Sequence, residues 1–412
     1  MLVFIPLLLL VCALVLTIRM GHSRTVFEMT NFLGPVAHSL YAHHNLDLEL
    51  WDGPFAGSVI FHSSRMPIPP AFLAISYIIF GNGLKAIYVV KTCVFILPLM
   101  VAMILAYRRA SRKWLAVGFL VVPFFIPNFL LQTTSMQIEE GFYYGVLALA
   151  TAILIFVDRP LRSFWLVGFA LSLITLYLCK SSLRFACIAL CFLACFRIGN
   201  WTSRMALIGV MVLTMSSWGL YQKSVSDRFT FGSSLDGLNL HKGNNAEFLD
   251  RYPPSDNGYI DNWDWTLSPV HSFTNEWAFD DYHRHIAEQF ILEDPGATLK
   301  ADLVKLDIYW ISLRDIGSGH SNDIFARMDP VNMLLMRILL LSALGSAVYC
   351  AVAVPRLKSV AIAVLVIFAS VCLPYVAGFA LTRHASVLIY PAALFLTKVF
   401  AMQVTGAQTP IC

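Results

Sequence analysis

The chain has 412 residues, of which 58% are hydrophobic and 13% charged, and its formal net charge is +4. No soluble core of this length needs so much apolar surface, so the composition predicts an all-α polytopic membrane protein. All nine cysteines except Cys412 lie within or beside apolar runs, which gives no sign of a disulfide framework.

Ten apolar runs along the chain are predicted to be transmembrane helices. They lie at 2–18, 86–107, 115–133, 141–157, 163–179, 184–196, 205–220, 331–353, 359–380 and 386–403. The first run lacks a basic start and a small-residue cleavage site, so we interpret it as an uncleaved span. The runs predict three parts: a membrane core at 1–220, an external α-rich segment at 221–330 and three C-terminal spans at 331–412.

A shorter apolar run, 66–80, lies in the stretch "SSRMPIPPAFLAISYIIFGNGLK". Crossing a bilayer takes about 20 helical residues, so we interpret this run as an interfacial helix within a long external loop, 20–85. Four basic loops then lie in the cytoplasm with both chain ends, as the positive-inside rule expects, and every acidic residue except Asp158 lies outside. The basic loops are 107–113, 158–163, 197–204 and 355–359.

Four stretches carry a family resemblance, and they occur in the family's order. They are "FEMTNFLGPVAHSLYAH" (27–43), "HSSRMPIPPAFLAISYIIFGNG" (62–83), "HRHIAEQFILEDPGATLKADLVKLDIYW" (283–310) and "TRHASVLIYPAALFL" (382–396). They resemble segments of the integral-membrane glycosyltransferases of the GT-C class. The most similar branch contains protein mannosyltransferases, aminoarabinose transferases and bacterial lipopolysaccharide-modifying enzymes.

The resemblance implies transfer of a sugar from a polyprenyl-phosphate donor to a hydroxyl or similar acceptor at the extracytoplasmic face. It places Glu28 at the family's acidic position and Arg383 beside the lipid phosphate. Many relatives carry Asp-Glu after the first span, whereas this chain has Phe27-Glu28.

Such a transfer needs a carboxylate that accepts the proton of the acceptor hydroxyl. The candidate catalytic residues of the first external loop are Glu28, Asp47, Glu49 and Asp52. We rank Glu28 first because it follows the first span closely. The other three acids occur in "DLELWD", which can equally be an exposed turn.

A second acidic site is predicted where Glu139 and Glu140 open the span 141–157 from outside. Carboxylates also suit the positive end of a helix dipole, so capping explains them without catalysis. Together with Glu28 these residues could hold Mg²⁺ or Mn²⁺ through oxygen ligands. The class includes metal-dependent and metal-independent members, so the sequence leaves this open.

Basic residues at the outer ends of spans run against the positive-inside rule and are predicted to bind the donor phosphate. They are Lys180, Arg184, Lys305, Arg383 and His384. Arginine suits the role best because guanidinium binds phosphate bidentately. Snorkelling to lipid headgroups is the alternative for each.

The external segment is predicted to place a helical part, 276–314, over the membrane face as a lid or platform. We expect as partners the lipid-linked donor, a glycan, lipid or protein acceptor and membrane lipids, with no nucleic acid. External segments without N-x-S/T sequons or disulfides indicate a bacterial inner membrane.

Two other functions remain open at this stage. A polysaccharide polymerase or ligase would use a similar lipid-linked donor. A transporter or lipid-sugar flippase would use broken helices, which Pro98, Pro123 and Pro127 could supply, although the spans hold few charges at mid-depth.

Overall fold

A computed structural model describes most of the chain. The described residues are 33–50, 54–81, 84–125, 138–158, 160–250, 268–270, 272–313 and 330–401. The predicted first span, 2–18, and the candidate residues Glu28 and Asp52 lie outside them. The described chain is mostly helical, as predicted, and its single sheet has two strands.

The first described part of the chain contains two helices and a hairpin. These are α1 (Leu33–His43), β1 (Leu48–Leu50), β2 (Val59–Phe61) and α2 (Ile68–Phe80). The strands pair antiparallel, with Leu48 opposite Phe61. The first turn of α2 holds two prolines, whose missing N–H groups would have no intrahelical partner there. The helix ends at Gly81, whose φ of 74° suits glycine.

Nine helices follow where the nine later spans were predicted. They are α3 (Leu84–Arg109), α4 (Lys113–Val121), α5 (Ile138–Phe156), α6 (Ser163–Cys179), α7 (Arg184–Cys195), α8 (Trp201–Ser226), and, after the external segment, α13 (Pro330–Ala353), α14 (Lys358–Ala377) and α15 (Ile389–Phe400). In the predicted span 115–133, α4 ends at Val121 and a 3₁₀ turn, Val122–Phe125, follows, while 126–133 lie outside the described residues. Proline at position 123 has no N–H with which to continue the α-helical ladder.

Three helices in the described part of the chain are long and apolar enough to cross a membrane. They are α8, α14 and the portion Met333–Ala353 of α13. A helix such as α6, with 17 residues, rises only about 26 Å. The count of ten spans therefore stays a prediction.

The helix bundle has two ends, which we name inner and outer after the predicted membrane topology. At the inner end, Arg109 Nη2 donates to Asp158 Oδ2 at 2.5 Å and Arg112 N donates to Ala401 O at 2.8 Å. Leu161 N also donates to the Arg197 carbonyl there, at 3.0 Å. Three of the four predicted cytoplasmic loops thus meet at one end.

The short helix α2 lies at the opposite, outer end. Just before it, the Ser63 carbonyl accepts a hydrogen bond from Ser234 N of the external segment at 3.1 Å. Directly after it, α3 starts at Leu84 and runs to the inner end at Arg109. Both ends of α2 are therefore at the outer end, which is the arrangement that an interfacial helix requires. Its depth in a membrane stays a prediction.

The external segment adds four helices to the outer end. They are α9 (Asp236–Gly243), α10 (Ala246–Asp250), α11 (Glu276–Glu293) and α12 (Pro295–Trp310). The predicted helical part is confirmed as α11 and α12. Asp294 separates them and caps α12, because its Oδ1 accepts from Ala297 N at 2.8 Å.

The last turn of α12 is capped from another helix. Arg337 of α13 is 2% exposed, and its guanidinium donates to the Ile308 carbonyl at 2.7 Å and the Ser312 carbonyl at 3.2 Å. It also donates to the Tyr309 carbonyl. The last carbonyls of a helix lack an intrahelical donor, so the arginine satisfies the end of α12.

Candidate functional site

A 3₁₀ segment, Thr382–Leu388, carries two of the predicted phosphate-binding residues into the middle of the outer end. His384 is 7% exposed and stacks on Tyr375, with ring centroids 4.0 Å apart. Tyr375 Oη lies 3.4 Å from Ser182 Oγ in the turn between α6 and α7. The side chain of Arg383 lies outside the described atoms, but its backbone belongs to this segment.

Lys180 reaches the same segment through two tyrosines. Its Nζ lies 5.9 Å from the ring centroid of Tyr143, which packs edge-on against Tyr144. The Tyr144 hydroxyl in turn hydrogen-bonds to the Ser386 hydroxyl. Through these two tyrosines Lys180 is linked to the 3₁₀ segment that contains positions 383 and 384, far away in the chain. We use the name outer cluster for segment 378–386 together with the side chains that reach it directly or through a neighbour. These include Lys180, Tyr143, Tyr144 and Tyr375.

Lys305 contributes to the outer cluster from inside the protein. It is fully buried, and its Nζ lies 2.8 Å from Asp302 Oδ1. The same ammonium donates to Asn244 Oδ1 and to the Gly378 carbonyl, each at 3.3 Å. Burial lowers the pKa of Lys305, and the nearby carboxylate opposes that shift. In this arrangement Lys305 positions segment 378–386, and its contact with a donor phosphate stays a prediction.

Helix α9 approaches the outer cluster very closely. A Cβ added to Gly243 would overlap the Gly378 carbonyl oxygen, so only glycine fits at position 243. The neighbouring Lys242 places its Nζ 5.5 Å from the ring centroid of Phe379. The close approach brings a further cation, which sequence analysis missed, to the outer cluster.

Arg184 does not join the outer cluster. Its Nη1 donates to Asp236 Oδ2 at 2.8 Å, and it lines a separate cleft with Arg228 and Arg284. Only three residues lie between Lys180 and Arg184 in the sequence, but the start of α7 turns the arginine toward Asp236 of α9.

Two of the four predicted catalytic carboxylates are described. Asp47 Oδ1 lies 2.5 Å from His62 Nδ1, and Asp47 Oδ2 accepts from Asn45 Nδ2 at 2.8 Å. Glu49 is exposed and accepts a hydrogen bond from the Ser58 hydroxyl. Of the two, only Asp47 is paired with an imidazole in a half-buried position. Such a pair can accept a proton from a bound hydroxyl group.

The structure also reveals a row of buried polar residues on α11. Glu276, Asp280 and His283 follow one another at i, i+4 and i+7, so they share one helix face. Glu276 accepts from the backbone N–H groups of His62, at 3.2 Å, and Ser63, at 3.1 Å. Burial raises the pKa of Glu276. The α11 row thus holds the residues that precede α2, including His62.

Asp280 and His283 fix α11 to α9. Asp280 accepts from Gly237 N at 2.5 Å and from Arg284 Nη2 at 2.9 Å. His283 Nδ1 lies 2.8 Å from His241 Nδ1, and its Nε2 lies 3.0 Å from Ser268 Oγ. Burial lowers the pKa of His241 to about 4 and that of His283 to about 3. Both rings are therefore neutral at pH 7, and one donates to the other.

The spacing of ionisable residues in "EWAFDDYHRH" was the signal available for the α11 row. The row also sets a distance, because Glu276 and His283 are seven residues apart, about 10 Å along the helix axis. Glu276 holds His62, the partner of Asp47, while His283 holds His241, which precedes Lys242. The Asp47–His62 pair and the outer cluster are thus linked through one short stretch of α11.

The predicted metal site falls outside what the structure describes. Glu28 is not described, and Glu139 and Glu140 belong to the first turn of α5 with side chains that are not described. Among the described residues, no group of three or more His, Cys, Asp or Glu side chains could hold a metal ion. Metal dependence stays a prediction.

Two solved structures are similar to the chain. One is ArnT from Cupriavidus metallidurans bound to undecaprenyl phosphate, at 12% identity and a TM-score of 0.42, covering 97% of this chain and 77% of ArnT. The other is the archaeal oligosaccharyltransferase AglB from Archaeoglobus fulgidus, in complex with an inhibitory peptide and a dolichol-phosphate, at 13% identity and a TM-score of 0.44. The match covers 95% of this chain and 50% of AglB.

No protein-family model and no curated protein matches the chain. At TM-scores below 0.5 the two structural likenesses add no support for a particular site or activity.

Proposed function

We propose that the protein is a membrane glycosyltransferase that moves a sugar from a polyprenyl-phosphate donor to an acceptor hydroxyl at the outer end of the bundle. The observation that carries this proposal is the outer cluster. It joins Lys180 to the segment of Arg383 and His384. All three are basic residues predicted to bind the donor phosphate, and the sequence resemblance places Arg383 beside it. The donor lipid cannot leave the membrane, so its phosphate has to meet the protein where the helices end.

In the proposed reaction a carboxylate accepts the proton of the acceptor hydroxyl, and the hydroxyl oxygen attacks the anomeric carbon. The bond between that carbon and the phosphate oxygen breaks, and polyprenyl phosphate leaves with the electron pair. Glu28 is the first candidate for the base. Asp47, paired with His62, is the best placed of the described carboxylates.

The cations of the outer cluster would stabilise the charge that develops on the leaving phosphate. Arg383 and Lys180 are the proposed contacts, and Tyr375 holds the neighbouring His384 by stacking on its ring. Lys305 and Lys242 support the segment from inside and from α9. A divalent cation, if one binds at Glu28, Glu139 and Glu140, would add charge stabilisation to the same step.

The test is a transfer assay in membranes that contain equal amounts of each variant, with a native lipid extract as donor. Glu28→Gln keeps the shape of the side chain but removes its basicity, so we expect turnover to fall by about 10²- to 10⁴-fold. Glu288→Gln, at an exposed position of α11 outside every candidate set, is the matched control and should retain activity.

Near-normal transfer by Glu28→Gln would exclude that residue as base and move the assignment to Asp47, tested by Asp47→Asn. If the unaltered protein consumes no lipid-linked sugar in any extract, the proposed function itself is wrong.

A further inference from the structure

An open cleft of about 590 Å³ lies at the outer end between α7, α8 and α11, and none of its lining residues is a member of the outer cluster. Its lining combines three arginines with apolar side chains: Arg184, Arg228 and Arg284, with Phe185, Ile188 and Met215. We call it the arginine cleft.

The arginine cleft is polar at its outer rim and apolar toward the membrane. Arg184 opens α7, and Ile188 lies one turn further along the same helix, about 6 Å closer to the bundle centre. Ile188 is 51% exposed and Phe185 36% exposed. Met215, within the predicted span of α8, forms the facing wall. The cleft therefore continues from a cationic rim onto surfaces that lipid tails would contact.

The guanidinium groups at the rim are held in place by carboxylates that use only part of their donors. Each arginine has five N–H groups in a rigid planar array. In the described contacts Asp236 takes one bond from Arg184, at 2.8 Å. Asp281 takes two from Arg228, at 2.6 and 2.7 Å.

Arg284 is held in the same way by Asp280, which is fully buried behind the cleft wall and takes one bond at 2.9 Å. The arginine side chains keep 29% to 39% of their surface exposed, so they present positive charge to the cleft. Asp236 is less exposed than any of them, at 19%, and Asp281 is more exposed, at 53%.

The outer wall of the cleft is a loop, 228–232, that is fixed before any ligand binds. The Gly232 carbonyl accepts from Trp218 Nε1 at 2.9 Å and from Gln222 Nε2 at 2.7 Å. The Phe231 carbonyl accepts from Tyr177 Oη at 3.0 Å. A preformed wall lowers the entropy cost of binding.

We propose that the arginine cleft binds an anionic phospholipid of the surrounding bilayer, with the phosphate between the arginines and an acyl chain along Ile188 and Met215. The guanidinium groups of the rim have N–H donors beyond those used by the aspartates, which a phosphodiester can accept, and the apolar wall matches a hydrocarbon chain. The site is separate from the proposed donor site and does not depend on transferase activity.

The experiment titrates the purified, delipidated full-length protein in detergent with phosphatidylglycerol and with phosphatidylcholine, and counts bound lipid by native mass spectrometry. The two lipids share a phosphate, but choline neutralises its charge. We expect phosphatidylglycerol to bind at least about tenfold more tightly, the effect of one or more charge-assisted hydrogen bonds.

Arg184→Gln and Arg228→Gln should each raise the Kd for phosphatidylglycerol by about tenfold or more. In the Arg184→Gln variant, Asp236 still accepts hydrogen bonds from the hydroxyls of Ser181 and Ser233, each at 3.0 Å, so its carboxylate keeps hydrogen-bond donors. The matched control is Lys223→Gln. Lys223 pairs with Asp227 at the same end of the molecule but does not line the cleft, so binding should be unchanged.

Ile188→Trp keeps every charge and fills the apolar wall, so it should also weaken phosphatidylglycerol binding. This variant tests the cleft even if an arginine variant folds poorly, because Ile188 is exposed and its replacement disturbs no core packing. Unchanged binding in Arg228→Gln and Ile188→Trp would overturn the proposal. Arginine-dependent binding of undecaprenyl phosphate without binding of phosphatidylglycerol would also overturn it, because the cleft would then belong to the donor lipid.

Discussion

Both ends of the bundle contain ionisable residues, which are exposed at the inner end and buried at the outer end. At the inner end the ion pair between Arg109 and Asp158 is open to solvent, with the two side chains 47% and 75% exposed. At the outer end, Glu276, Asp280, His283 and Lys305 are at most 2% exposed, and each has a defined partner.

The energies differ accordingly. An exposed ion pair contributes about 0–1 kcal/mol, whereas removing one member of a buried pair typically costs about 3–5 kcal/mol. The inner end shows that loops between helices can be joined by exposed ion pairs, without buried charges. Buried ionisable groups that are concentrated at one end of a protein are characteristic of a functional site. Substitutions at the two ends should therefore have different effects.

The largest difference between the ends should come from Glu276→Ala. The substitution leaves the buried N–H groups of His62 and Ser63 without their acceptor, at about 1–3 kcal/mol each. The control at the inner end, Asp158→Asn, should change the free energy of unfolding by no more than about 0.5 kcal/mol. Chemical denaturation in detergent measures both, and equal losses would contradict the contrast between the ends.

A functional difference should follow from Arg383→Ala. If Arg383 contacts the donor phosphate, its loss should weaken productive use of the donor by roughly 1.5–3 kcal/mol, the contribution of hydrogen bonds to charged groups. Arg162→Ala removes an exposed arginine at the inner end and should leave the kinetics unchanged. Donor titrations in the transfer assay compare the two. Unaltered donor kinetics in a folded Arg383→Ala protein would make the residue a snorkelling side chain.

Two glycines, one at the outer end and one in α8, differ in the space that an added methyl group would find. Gly243→Ala places a methyl group against the Gly378 carbonyl and should destabilise the protein by about 1–3 kcal/mol. Gly209 of α8 has no atom within 4 Å of an added Cβ, so Gly209→Ala should stabilise by about 0.5–1 kcal/mol. Opposite shifts in melting temperature are the expected result, and a loss of stability in both would place an unseen contact on α8.

The smallest effect should be a pH dependence at the outer end. Burial depresses the pKa of His241 and His283 below 6.5, so their contribution to stability is present above about pH 6.5 and falls as the pH approaches 4. Between pH 7 and 5.5 each should account for about 1 kcal/mol. The raised pKa values of Glu276 and Asp280 act with the opposite sign.

The histidine contribution is therefore read as the difference in pH dependence between the unaltered protein and His283→Gln. His285→Gln, at an exposed position on the same helix, is the control and should reproduce the unaltered profile. An unchanged profile in His283→Gln would mean that its ring does not titrate differently in the folded and unfolded states.

The helices were largely predictable because hydrophobic runs and capping residues are local signals. The predicted span 163–179 coincides with α6, and Pro295 marks the start of α12. The prediction was poorest where tertiary structure decides the ends. The predicted span 205–220 is part of a longer helix, α8, whose last turn lies at the outer end beside loop 228–232.

The site was predictable only in part. Lys180 and His384 stood out because cations at outer helix ends oppose the positive-inside rule, and the structure brings both to the outer cluster. Glu276, Asp280 and His283 read as ordinary polar residues of an external segment. Their burial is created by α9 and by the residues before α2, which approach from distant parts of the chain.

The cap that Arg337 places on α12 has a consequence for biosynthesis. The carbonyls of Ile308, Tyr309 and Ser312 receive their hydrogen bonds from a residue that the ribosome adds after all three. During synthesis these hydrogen bonds at the end of α12 cannot form until α13 has been made. The end of the outer segment can therefore reach its final hydrogen bonding only after the chain has been synthesised past Arg337.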